Sequence, residues 1–127
     1  MARKQRFLTY EQKMIRALKS LPHPIEDKKH RIKIIFRNDR ARSNQSRFEH
    51  IIAPRHELLP SDIKQIVKGV DTSILKKDEE RTNTYNLFIK RNSFSNEYIK
   101  ISMEIDFKKS NIAVVKTMFI IKNCKKM

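Results

Sequence analysis

The stretch SRFEHIIAPRHELL, Ser46 to Leu59, carries His50, Arg55 and His56 within seven residues of one another. Imidazole is the natural acid or base near neutral pH, and a guanidinium can hold a phosphate. Together these types suit metal-free cleavage of a phosphodiester next to a hydroxyl. A base takes the ribose 2′-proton, an acid protonates the leaving 5′-oxygen, and a cation stabilises the charge building on phosphorus. Phe48, Ile51, Ile52, Leu58 and Leu59 are interleaved with these residues, more large apolar groups than a solvated loop carries. The segment therefore reads as half-buried. A single histidine in such a place is more often a hydrogen-bonded structural group, and Arg55 alone is as easily a salt-bridge partner or a phosphate anchor. The combination is what points to catalysis.

Two regions elsewhere could join this segment. Thr117 falls among Ala113, Val115, Phe119 and Ile121 on one face of an apolar strand. A hydroxyl in that row needs a partner, either a backbone group or a substrate phosphate. Lys116 points to the opposite face of a regular strand, so Lys116 and Thr117 share a site only across a bulge. Lys90 and Arg91 end an earlier apolar alternation and could reach phosphate or simply cap the strand with charge. Arg42 and Arg47, in an arginine-rich loop just before the histidine segment, are further candidate phosphate contacts.

Other chemistries fit poorly. The four histidines include no H-x-x-x-H pair, and near His50 and His56 only Glu49 and Glu57 adjoin them, which is a poor ligand pattern, so no metal is expected. Cys124 is the single cysteine; it permits no internal disulfide and no thiolate zinc site, and a thiol among lysines reads as incidental. No G-x-S-x-G elbow is present. The one glycine, Gly69, excludes a Walker loop and a Rossmann fingerprint, so no nucleotide cofactor is expected.

The elements that must position these residues are legible in outline. The 127 residues fit one domain with a core of its own. Residues 1–8 are basic and expected to be loose. Thr9 to Gln12 forms a capping box opening a helix with Met14, Ile15, Leu18 and Leu21 on one face, stopped by Pro22 and Pro24. Residues 22–31 read as a linker, Ile32 to Phe36 as a strand or buried segment, 37–47 as a loop, and 71–83 as a charged connection. Pro54 breaks the histidine segment into a turn of helix and a bend. Pro60, Ser61 and Asp62 start a second helix with Ile63, Ile66, Val67 and Val70 on one face, ending near Gly69. From residue 84 to 122 the period changes to two, giving an antiparallel meander whose last strand, from Ile112, is apolar on both faces. The expectation is an α+β fold with N-terminal helices on one face of a roughly four-stranded antiparallel sheet.

Charge is the strongest bulk signal. Twenty-nine Lys and Arg against fourteen Asp and Glu leave +15. A polyanionic partner is the usual reason to tolerate such self-repulsion, although a cationic surface kept for solubility is the plainer explanation. The start of the chain lacks the apolar core of a signal peptide, and no apolar run is long enough to span a membrane, so a cytoplasmic home is expected.

The pattern resembles the phage-type branch of the barnase, EndoU, colicin and RelE-like nuclease superfamily. The matching pieces are Phe48, His50, Ile51, Arg55 and His56, then Asp62, Ile63 and Ile66, then Tyr85, Leu87, Ile89 and Lys90, and finally Lys116, Thr117 and Phe119. The likeness covers roughly residues 32 to 122 in short motifs. It implies a small metal-independent ribonuclease, often a toxin borne on a mobile element, with its site on the open face of the sheet. Carried over, it points to His50, Arg55 or His56, and Thr117. Two other readings stay open. The chain is a non-enzymatic nucleic-acid binder using Arg37, Arg40, Arg42 and Arg47, or it binds an acidic protein such as an antitoxin, which is compatible with either activity.

Overall fold

The computed structural model describes residues 9–37, 40–42, 45–91 and 96–122, without the side chains of residues 40–42 and 45. The basic stretch 1–8 and Cys124 lie outside the described residues.

Local sequence sets the helix ends. Helix α1, Tyr10–Lys19, opens at the expected box: the Thr9 hydroxyl accepts from the Gln12 N–H, and the Gln12 side chain accepts from the Thr9 N–H. The short helix α2, Arg47–Ile51, opens the same way with Ser46 and Glu49. Pro54 cannot continue a helix, so after Ala53 the chain makes a single 3₁₀ turn, Pro54–His56. Helix α3, Pro60–Gly69, has proline in its first turn, where a missing N–H costs nothing. Asp62 accepts from the Leu59 N–H at 2.8 Å and closes the N-terminus. Ile63 and Ile66 are buried and Val70 follows them inward, but Val67, expected on the same face, is 42% exposed.

Among the described residues there are eight strands, numbered in chain order. They are β1, Ile25–Asp27; β2, Ile32–Ile35; β3, Arg40–Arg42; β4, Gln45–Ser46; β5, Ile74–Lys77; β6, Thr84–Lys90; β7, Tyr98–Glu104; and β8, Ile112–Ile121. Six of them form one sheet in the order β1-β2-β8-β7-β6-β5, while β3 and β4 make a separate pair. The four strands β5 to β8 are mutually antiparallel. β2 lies parallel to β8, and β1 pairs antiparallel with β2 at the edge.

The fold is therefore α+β, but the expected four-stranded antiparallel sheet is corrected to a six-stranded mixed one. The additions come from segments read as linkers. Residues 22–31 hold β1, and residues 71–83 hold β5, whose Ile74 and Leu75 pair with Phe88 and Leu87. The parallel β2–β8 pairing joins residues about eighty positions apart in sequence, and no local pattern announces such a partner.

One face of the sheet carries Ile32, Ile34, Leu87, Ile89, Ile99, Ile101, Met103, Ala113, Val115 and Met118. Met14 and Leu18 of α1, Phe48 and Ile51 of α2, and Ile63 and Ile66 of α3 belong to the same cluster. All three helices thus cover that face. The opposite face presents a mixed polar and aromatic row that includes Thr117 and Phe119.

Candidate functional site

β2 accompanies β8 only as far as Val114. Beyond it, α2 and the 3₁₀ turn occupy the flank of β8. The Arg47 guanidinium donates from Nη1 to the Lys116 carbonyl at 3.1 Å, so a side chain satisfies a strand-edge acceptor. Phe48, Ile51, Ile52 and Leu58 are buried and fix the segment from below. The half-buried reading of the histidine segment thus has a physical basis: its apolar residues complete the core at the place where the sheet lacks a strand.

This anchoring brings the two histidines together. Their rings stand edge to face with centroids 5.5 Å apart. His56 is buried, and its Nδ1 lies 2.7 Å from the Ile51 carbonyl. A carbonyl only accepts, so Nδ1 carries a proton, and in the neutral ring the lone pair sits on Nε2. The ring orientation and tautomer are thereby set by backbone. His50, at the last turn of α2, is half-buried. Arg55 is exposed beside them and makes no hydrogen bond or ion pair among the described residues.

His56 also meets the sheet. Its ring centroid lies 6.1 Å from that of Phe119 on β8. Phe119 is in register with Lys100 of β7, which is in register with Phe88 of β6. The Lys100 ammonium sits 5.4 Å from the Phe119 centroid and 6.0 Å from that of Phe88. No carboxylate of the described residues reaches it. A groove of about 370 Å³ opens here, lined by Glu57, Lys100, Phe119, Ile120, Ile121 and Lys122. At its rim Lys122 Nζ donates to Glu57 Oε1 at 2.8 Å. That hydrogen bond and charge hold the Glu57 carboxyl below its ordinary value and raise the Lys122 ammonium above its own.

The strand bearing Thr117 is not regular. Ser102 faces Thr117 while Met103 faces Val115, which leaves Lys116 as an extra residue in β8. Such a bulge shifts the alternation by one. Ala113 and Val115 point into the core before it, and Met118 and Ile120 after it. Thr117 therefore does not share a face with Ala113 and Val115, as strict alternation predicts. It lies with Phe119 and Ile121 on the opposite face, and Lys116 comes to that face beside it. The Thr117 hydroxyl is buried and has no hydrogen-bond partner among the described residues. In the same row, Ser102 and Asn86 stand on the neighbouring strands, and the Asn86 side-chain oxygen is likewise unpartnered.

The other candidate cations divide. Lys90 is exposed at the end of β6, in register with Tyr98 and, through it, Ile121, so it lies at the same end of the sheet as Phe119. Lys116 Nζ is 3.5 Å from Glu104 in a partly exposed pair. Arg47 spends one nitrogen on the Lys116 carbonyl. Arg91 is engaged in a different role: Nε and Nη2 donate to the two Asp62 oxygens at 2.7 and 2.9 Å, and Nη1 donates to Glu97 at 2.9 Å. These partners raise the Arg91 guanidinium above its ordinary value. Arg42 belongs to β3, and its side chain lies outside the described residues.

Sequence reasoning passed over Lys100 and gave Phe119 only a packing role. Lys100 stands on the wet face of a clean alternation, where a lysine is ordinary, and only the register with two phenylalanines singles it out. Among the described residues no group of three or more His, Cys, Asp or Glu is placed to hold a metal, and no helix is long and apolar enough to cross a membrane. No family model matches the chain, and comparison with curated proteins and with solved structures finds no match.

Proposed function

We propose that this chain is a small metal-independent endoribonuclease, of the kind the superfamily resemblance implies. The observation that carries the reading is the His50–His56 ring pair standing against Phe119 at the edge of the sheet's outer face. In this reading His56, its Nδ1–H spent on Ile51, offers Nε2 as the base that takes the 2′-proton. The 2′-oxygen then bonds to phosphorus, the bond from phosphorus to the 5′-oxygen breaks, and His50 protonates the departing oxygen. The products are a 2′,3′-cyclic phosphate and a free 5′-hydroxyl. Arg55, exposed beside the pair, neutralises the phosphate, and the Thr117 hydroxyl, buried in the ground state, donates to it only if the β8 edge opens around the substrate. The excess of positive charge draws the substrate in and makes binding salt-dependent.

The test is cleavage of RNA in EDTA, with identification of the new ends. Cyclic-phosphate ends, and no cleavage of the same strand with 2′-O-methyl at every ribose, support the reading. His50→Ala and His56→Ala should each lower the rate about a hundredfold or more, the usual scale for an acid or base. Salt-sensitive binding without cleavage would instead favour a nucleic-acid-binding protein with structural histidines.

A further inference from the structure

We propose that the groove between Glu57 and the β7–β8 face is a subsite for one nucleotide of an unpaired strand, with the base on the Phe119 ring and its phosphate on Lys100. The proposal rests on the nuclease reading for the identity of the strand as RNA, and the geometry supplies the rest. Phe119 is half-buried and lines the groove directly. Its ring touches His56, so a base stacked there leaves its sugar and phosphate beside the histidine pair.

Of the two cations lining this groove, Lys100 and Lys122, Lys100 is the one that faces no carboxylate among the described residues. Lys122 is bound by Glu57, Lys116 by Glu104, and Arg91 by Asp62 and Glu97. The Lys100 ammonium is held instead over two aromatic rings, which attract it through their faces without neutralising it. An ammonium held among apolar rings at a groove floor is a point charge awaiting an anion. A phosphodiester supplies both the anion and, one sugar away, a flat base for the adjacent ring. The ammonium lies over the Phe119 ring, 5.4 Å from its centroid, so a base takes that face as the flexible lysine side chain swings off the ring and carries its charge to the phosphate.

This arrangement demands an unpaired strand. A base in a duplex has both faces stacked and cannot lie on Phe119, whereas any unpaired base can. Glu57 and Lys122 then form the outer rim, and because their pair is solvated it can yield to the base edge.

The test uses the whole chain and a short fluorescein-labelled 2′-O-methyl RNA, which resists 2′-hydroxyl attack and so reads binding alone. Anisotropy titrations compare the single strand with its duplex for the parent, Phe119→Leu, Phe119→Trp and Lys100→Met, each first checked for a parent-like thermal melt. The proposal expects the single strand to bind at least about tenfold tighter than the duplex, and Phe119→Leu to weaken it roughly five- to a hundredfold, the scale of base–aromatic stacking. Phe119→Trp should retain affinity. Lys100→Met should reduce the slope of log K against log salt by about 0.7, one phosphate of a single strand. Equal binding of single strand and duplex, or Phe119→Leu within about twofold of the parent, would overturn the subsite, because stacking is worth more than that. If these expectations hold while the parent cuts no unmodified RNA, the nuclease reading fails and the subsite stands.

Discussion

Asp62→Ala should be among the most damaging single substitutions in this chain, although Asp62 lies on neither histidine nor groove. Its carboxylate is almost fully buried and accepts from Arg91 Nε at 2.7 Å, Arg91 Nη2 at 2.9 Å and the Leu59 N–H at 2.8 Å. Alanine leaves a guanidinium that is 16% exposed with Glu97 alone, and an orphaned N–H at the start of α3. Removing one partner of a buried pair costs about 3–5 kcal/mol, because the other charge stays buried. A domain of this size has only about 5–15 kcal/mol in total, so the variant should lose roughly a fifth of its stability or more. Denaturant melts of the parent, Asp62→Ala, Arg91→Met and the double variant Asp62→Leu/Arg91→Met measure this directly. The double variant should recover most of the loss, since apolar replacement of a buried pair is close to neutral. The same variants decide the role of Arg91. Each should leave the salt slope of RNA binding unchanged where the protein remains folded. A cost below about 1 kcal/mol for Asp62→Ala, the scale of a surface pair, would refute the reasoning. So would an Arg91→Met variant of parental stability whose salt slope has dropped, because Arg91 would then be a phosphate contact.

Thr117→Val should leave stability unchanged or slightly raised, since it removes a buried hydroxyl with no partner, while cleavage falls; a stability loss above about 1 kcal/mol would reveal a structural hydrogen bond. Gly69→Ala should destabilise despite the better helix propensity of alanine, because an added Cβ would come within 2.5 Å of the buried Ile89 Cγ2; the expected net cost is about 1–3 kcal/mol by denaturant melt, and a gain would contradict it. Acid should weaken the fold at constant ionic strength. Backbone and side-chain donors hold Glu49, Glu57 and Asp78 below their ordinary 4.5, 4.5 and 3.8, so their contribution is full above those values, begins to fall below them and is gone once pH has passed the lowered folded values; stability that stays flat down to about pH 3 would contradict this.

What was legible in the sequence was local. The T-x-x-Q box, the two proline stops and the interruption at Pro54 fixed where helices begin and break, because caps and prolines act within a turn. The alternation from Tyr85 and from Ile99 marked β6 and β7, with Leu87, Ile89, Ile99, Ile101 and Met103 inward, but it ran on to Phe107, which lies beyond β7 and is half exposed. What stayed hidden depends on distant partners. β1 and β5 are short strands whose Lys and Glu content is typical of sheet edges, so they read as linkers until the strand beside them is known. The bulge at Lys116 has no signature in VVKTMF; only the register against Met103 and Ser102 exposes it, and it reverses the face of Thr117. The histidine segment was recognisable as half-buried, but its reason was not: the early end of β2 leaves a vacant flank on β8 that α2 fills. Arg91 and Lys100 exchange prominence on the same ground, since one has a carboxylate partner twenty-nine residues away and the other has two rings.

The most direct measurement of the central claim is a time course of end-labelled RNA in EDTA, run with equal amounts of the parent and a folded His50→Ala/His56→Ala variant. The account predicts discrete cleavage by the parent, ending in cyclic phosphates, and none above background by the variant. Equal cleavage by both proteins, or none by a parent that binds the RNA tightly, would contradict it.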